Sequence, residues 1–119
     1  MSRFGRNIAP FVDAELSRAH EAGSAGRAHL AFFHLERAHV LGQASTYLHL
    51  RVHLQMLRWG WQQRSLGEVR GQLLRLVGAL SMTAVGLVPE GNTGGADASP
   101  FRPMPVPPEL GAMIRRARS

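Results

Sequence analysis

Apolar residues recur along the first two thirds of the chain at three- and four-residue intervals, the spacing of helices that bury one face. The pattern predicts a first helix opening near Pro10, where proline is tolerated in the first turn, and running to Ala22. Phe11, Val12, Leu16, Ala19 and Ala22 define its inward arc, and Glu15 falls inside that arc. A second helix is expected from Arg27 to Leu41, stopped at Gly42, with Ala28, Ala31, Leu35 and Ala38 inward and Phe32 and His39 on the flank. Ser45 or Thr46 caps a third, which ends near Gln63. A capping box, Ser65-Leu66-Gly67-Glu68, opens a fourth whose apolar stripe comprises Leu66, Val69, Leu73, Leu76, Val77 and Leu80.

Short connections make consecutive helices antiparallel hairpins. The expected fold is therefore all-α: two stacked helical hairpins, either a bundle or a short tetratricopeptide-like stack, forming a core over 9–84. Beyond Val85 the pattern breaks. Prolines 89, 100, 103, 105, 107 and 108 exclude a long helix, and Gly91-Asn92-Thr93-Gly94-Gly95 reads as turns. Apolar residues persist between them (Leu87, Val88, Phe101, Met104, Val106), so the arm over 85–119 is expected to pack on the core and to close with a short helix from Pro108 to Arg118. At 119 residues this is one domain.

The third helix carries the least ordinary feature. Arg51, Gln55, Arg58 and Gln62 share one stripe, which must face water. Opposite it, at the centre of the buried face, stand His49, His53, Met56 and Gly60. Two inward imidazoles need partners, because an unpaired buried polar group costs roughly 1–3 kcal/mol. Inward Glu15, and His39 with Glu36 three residues before it, mean that each of the first three helices turns a carboxylate or imidazole toward one interior.

Composition narrows what could pair with them. There is no cysteine, so any metal is held by nitrogen and oxygen. Imidazole and carboxylate suit a divalent transition metal, with zinc first. The expected ligands are Glu15, His39, His49 and His53, with Glu36 as a fifth ligand or as a group orienting a histidine, and His20 in reserve. His29 and His34 read as surface residues, and Trp59, Trp61, Phe32 and Phe33 as packing. A metal-free reading stands beside this one: the rings bond Glu15, backbone or water, and the chain is an interaction module docking a protein partner. His-Leu-Arg-Val-His lacks the glutamate of the metalloprotease motif, and Glu36-x-x-His39 is half of a di-iron pattern, so the metal reading is mononuclear and no enzyme is expected.

The net charge of +6 comes from 14 arginines and no lysine, dispersed rather than striped, so nucleic acid is not the expected partner. Neither a secretory leader nor an apolar run of membrane-spanning length is seen, which leads to the expectation of a cytoplasmic protein without membrane contact. Three segments (His34 to Gln43, Arg51-Val52-His53 and Gly86 to Gly95) resemble a small bacterial family, the domain of unknown function 3703. That resemblance implies a mainly helical fold and brings no established activity or functional residues. Ala19 to Gly42 also resembles one tetratricopeptide-type hairpin in its small residues and glycine turn.

Overall fold

The computed structural model describes residues 1–84 and 103–119, with 79–84 described by backbone alone. The expectations for Gly91–Gly95, for the apolar residues Leu87, Val88 and Phe101, and for the side chain of Leu80 fall outside the described residues. Five helices account for the described chain: α1 (Arg3–Ser24), α2 (Ala28–Gly42), α3 (Thr46–Gln62), α4 (Leu66–Ala84) and α5 (Pro108–Arg118). No strand occurs among the described residues, and no helix there is long and apolar enough to cross a membrane.

α1 begins two turns earlier than its proline implies. Ser2 caps it, its Oγ accepting the Gly5 N–H at 3.0 Å, and Pro10 sits inside the helix. Interior proline removes one ladder donor and normally kinks or ends a helix. Here Ile8 and Val12 on either side are fully buried, so packing holds the helix through it.

α1 pairs with α2 and α3 with α4, giving two antiparallel hairpins joined through α2 and α3, while α5 lies across α1 and α2. The core between them is built from Ile8, Val12, Leu35, Ala38, Leu41, Leu48, Val52 and Met56. Leu110, Ile114 and Ala117 bring the arm's terminal helix into it. Asn7 Nδ2 donates to the Ala117 carbonyl at 3.0 Å, satisfying one of the last acceptors of α5.

α4 differs from expectation. Among the described residues it packs only on α3. Its apolar stripe does not form core: Leu66, Leu73 and Val77 are exposed, and Val69 and Leu76 are half-buried. Among its described side chains, the one it buries completely is Gln72. Trp61 and Phe33, read as packing, are likewise exposed, whereas Phe32 and Trp59 do pack, with ring centroids 4.5 Å apart. Trp59 donates its indole N–H to the Ala28 carbonyl at 2.8 Å, tying α3 to the start of α2.

Candidate metal centre

Gly42 ends α2, and a Cβ there would meet the Leu48 Cβ at 3.1 Å and Val12 Cγ2 at 3.3 Å. The missing side chain lets the first turn of α3 close against the last turn of α2. His39 lies in that last turn and His49 in that first turn, and His53 stands one turn further along the same face of α3. The three rings meet. Their Nε2 atoms form a nearly equilateral triangle, with His39–His49 3.0 Å, His39–His53 3.2 Å and His49–His53 3.1 Å. All three residues are buried.

The hydrogens of His53 can be assigned from its neighbours. Gln72 Nε2 lies 2.7 Å from Glu68 Oε1, and a carboxylate only accepts, so the amide nitrogen of Gln72 faces Glu68. Gln72 Oε1 therefore faces His53 Nδ1, at 2.5 Å, and that ring nitrogen must be the donor. Neutral His53 then carries a lone pair at Nε2, pointing into the triangle. It is neutral because burial pushes its pKa down to about 4, with the nearby Arg75 charge acting in the same sense and the Gln72 bond opposing it. Burial, and then the charge His53 would carry, lower His49 to about 3.

No assignment of protons satisfies all three sides of this triangle. If one of His39 and His49 carries an Nε2 proton, the other still faces His53 lone pair to lone pair. If both carry one, two N–H groups oppose each other at 3.0 Å. Like-to-like contacts of this kind are unfavourable in a low-dielectric interior. A cation shared by three lone pairs removes the conflict.

Glu15 lies outside this group. It is buried to 2 % exposure, as its position on α1 predicted, but it faces α2 rather than α3. His34 Nδ1 is 2.7 Å from its Oε2, while Arg37 Nε at 3.0 Å and Arg18 Nη1 at 3.2 Å both donate to Oε1. The expected Glu15–His49 or Glu15–His53 bond is replaced by these contacts, because α1 pairs along its length with α2 and touches α3 only slightly. His34 is accordingly half-buried instead of a surface residue. Arg37 reaches on to Glu109 of α5 at 2.9 Å. Its own burial works against its charge, but the bonds to Glu109 and Glu15 win and leave its pKa raised; Glu109 is held below the carboxylate range chiefly by Arg37.

Glu36 is half-buried on α2 and is not one of the converging groups. His20 and His29 are exposed, His20 on the rim of a cleft that it shares with Gln55, Arg58 and Trp59. Gln72 and Glu68 belong to the centre and were hidden in the sequence, since the leucines around them drew α4 as an apolar helix and the capping box gave Glu68 another role. Their i, i+4 spacing is the trace that marks them.

The class defined by these observations is an all-helical hairpin protein with a buried tri-histidine cluster. The profile of the family described as "Protein of unknown function (DUF3703)" matches residues 6–114, and the chain belongs to that family. Neither a curated protein nor a solved structure matches it.

Proposed function

We propose that the chain binds one transition-metal ion, zinc first, through the Nε2 atoms of His39, His49 and His53, and that it handles or senses metal in the cytoplasm. The observation that supports this reading is the triangle of ring nitrogens, one of them held as a lone pair by Gln72, that protons alone cannot reconcile. The dimensions suit an ion. The three Nε2 atoms stand 3.0–3.2 Å apart, close enough for all three to reach one ion at the roughly 2.0–2.1 Å of a zinc–imidazole bond. Gln72 and Glu68 would orient His53 as second partners commonly orient metal-ligating histidines. The closed surroundings and neutral donors favour holding an ion over turning over a substrate, so no catalytic step is assigned.

Titration of metal-stripped protein with Zn²⁺ tests the proposal, in competition with a chromophoric chelator. Wild type should take up one equivalent, and the His49→Ala/His53→Ala variant none. Uptake that is equal in the two proteins overturns the assignment. Zinc at 100 times Kd should also stabilise wild type by about 2.7 kcal/mol, because an ion bound only by the native state shifts unfolding by mass action.

A further inference from the structure

Among the described residues, the third and fourth helices each carry a second apolar stripe that no other helix covers. On α3, Tyr47, Leu54 and Trp61 recur every seven residues and are exposed, Trp61 to 74 %. Leu50 and Leu57 fall between them and are half-buried. Tyr47-Leu50-Leu54-Leu57-Trp61 is thus a three–four alternation of apolar residues, the spacing by which helices of a bundle pack. On α4, Leu66, Val69, Leu73 and Leu76 continue the same alternation, with Leu66 exposed to 80 % and Val77 beside Leu73 also exposed.

Both stripes lie on one side of the hairpin. α3 meets α4 through His53 and Gly60, where a Gly60 Cβ would lie 3.3 Å from Glu68 Cβ. The Tyr47 stripe stands about 110° further round α3 in the direction of chain advance. α4 meets α3 through Gln72 and Glu68, and its Leu66–Leu73–Val77 stripe stands about 140° further round in the same chain sense. In antiparallel helices those two rotations are mirror-related, so they bring both stripes to the same face. α2 packs on the other side of α3, where Trp59 reaches Ala28. The described helices therefore form two layers, and the outer face of the second is apolar.

We propose that this face is a dimer interface: two copies pack their α3–α4 hairpins face to face across a two-fold axis to make a four-helix bundle. Heptad spacing on both helices of an antiparallel hairpin is the pattern such a bundle requires, and a second hairpin of the same spacing supplies the missing layer. A two-fold contact is self-complementary, so one patch serves both partners. The six exposed side chains Tyr47, Leu54, Trp61, Leu66, Leu73 and Val77 present on the order of 800 Å², about what each partner contributes to a standard stable interface. Contiguous apolar patches of that size are uncommon on monomers. The histidine triangle lies toward the opposite side of α3, so dimerisation and metal binding are separate properties.

Sedimentation equilibrium of the full chain, stripped of metal and again with Zn²⁺, tests the interface. Wild type should sediment as twice 13.0 kDa in both conditions. Leu54→Glu/Leu73→Glu places a charge on each stripe at positions already open to water, so the protomer keeps its core. This variant should keep its far-ultraviolet helical signal and lose dimerisation by at least about 100-fold, since a charge without a partner is costly to bury. Phe33→Glu, an exposed apolar position on α2 away from this face, should leave the dimer intact. A wild type that stays monomeric at several hundred micromolar overturns the proposal. So does a dimer that survives the double substitution, or one that Phe33→Glu dissociates.

Discussion

Glu15 and His53 are equally buried, and their surroundings solve the problem of a buried polar group in opposite ways. Around Glu15, three groups that can donate or carry positive charge close on one carboxylate, so each partner answers the others. Around His53, Gln72 and Glu68 satisfy one edge of the ring, and the other edge is aimed at two more imidazoles. The first cluster is complete as an ion-pair network joining α1 to α2 and, through Arg37 and Glu109, to α5. In the second, three ring nitrogens stand 3.0–3.2 Å from one another, and no arrangement of protons suits every side. Burial alone therefore does not distinguish the two clusters; the direction in which each polar atom points does.

Acid should act on the two clusters most unequally, and this is the largest effect expected. His49 and His53 are held well below the ordinary histidine pKa, to about 3 and about 4. The unfolded chain therefore binds more protons than the native one throughout the interval below about 6.5. Stability must fall as pH drops from 6.5 toward 4, by roughly 1.4 kcal/mol per ring for each pH unit. Metal-free wild type should show this steep loss in denaturation midpoints, and His49→Gln/His53→Gln should flatten it. Because the neutral-ring network and a metal site weaken in the same direction with acid, only the difference between curves with and without zinc reports the ion. A wild-type midpoint that rises toward acid would mean that the rings are cations in the fold.

Glu15→Ala is the next largest. It strands the Arg37 guanidinium and His34 beside an apolar core without their common acceptor, and removing one partner of a buried pair typically costs about 3–5 kcal/mol. Chemical denaturation should register most of that loss, discounted for the partial exposure of Arg37. Zinc stoichiometry measured below the transition should stay at one. Loss of zinc binding in a variant that remains folded would place Glu15 among the groups that hold the ion.

Gln72→Leu sharpens the comparison from the other side. Leucine fills the buried volume but accepts nothing, so His53 is no longer held with its hydrogen at Nδ1. Zinc affinity should fall about 10- to 100-fold, the usual consequence of losing a group that orients a ligand. Stability without metal should fall by about 1–3 kcal/mol, because leucine leaves a nitrogen of the buried His53 ring without its partner. Equal zinc affinity in wild type and Gln72→Leu would show that the relay does not govern the ring.

Much of this was legible in the helical spacing, and the gaps have physical causes. A wheel gives the direction in which a side chain leaves its helix, so His49, His53 and Glu15 were correctly turned inward. It does not say which neighbour occupies that direction. Glu15 went to α2 because α1 and α2 form the tightest pair, and only the tertiary arrangement decides that. Pro10 misled because its local preference was overridden by Ile8 and Val12 packing around it. The stripe on α4 was real, but periodicity marks a face that wants covering without saying that the same protomer covers it. Gln72, lying between that stripe and α3, carries no apolar signal at all.

The smallest effect separates two roles that the sequence had merged at the start of α4. Ser65 Oγ accepts the Glu68 N–H at 3.3 Å, as a helix cap should. The return arm of the expected capping box is absent, because the Ser65 N–H donates to the Gly60 carbonyl at 2.8 Å and the Glu68 carboxylate accepts from Gln72 instead. Ser65→Ala should therefore cost about 1 kcal/mol in thermal or chemical denaturation, the usual loss of a capping hydroxyl, and leave zinc affinity unchanged. Glu68→Gln should do the reverse. It keeps the N–H bond to Ser65, so the helix start is unaffected, but an amide at 68 can donate as well as accept and no longer dictates which end of Gln72 faces His53. Zinc affinity should drop by up to about tenfold at nearly constant stability. If Glu68→Gln instead destabilises the helix and spares the ion, its carboxylate serves the cap, and the chain of bonds from Glu68 to the histidine triangle carries no function.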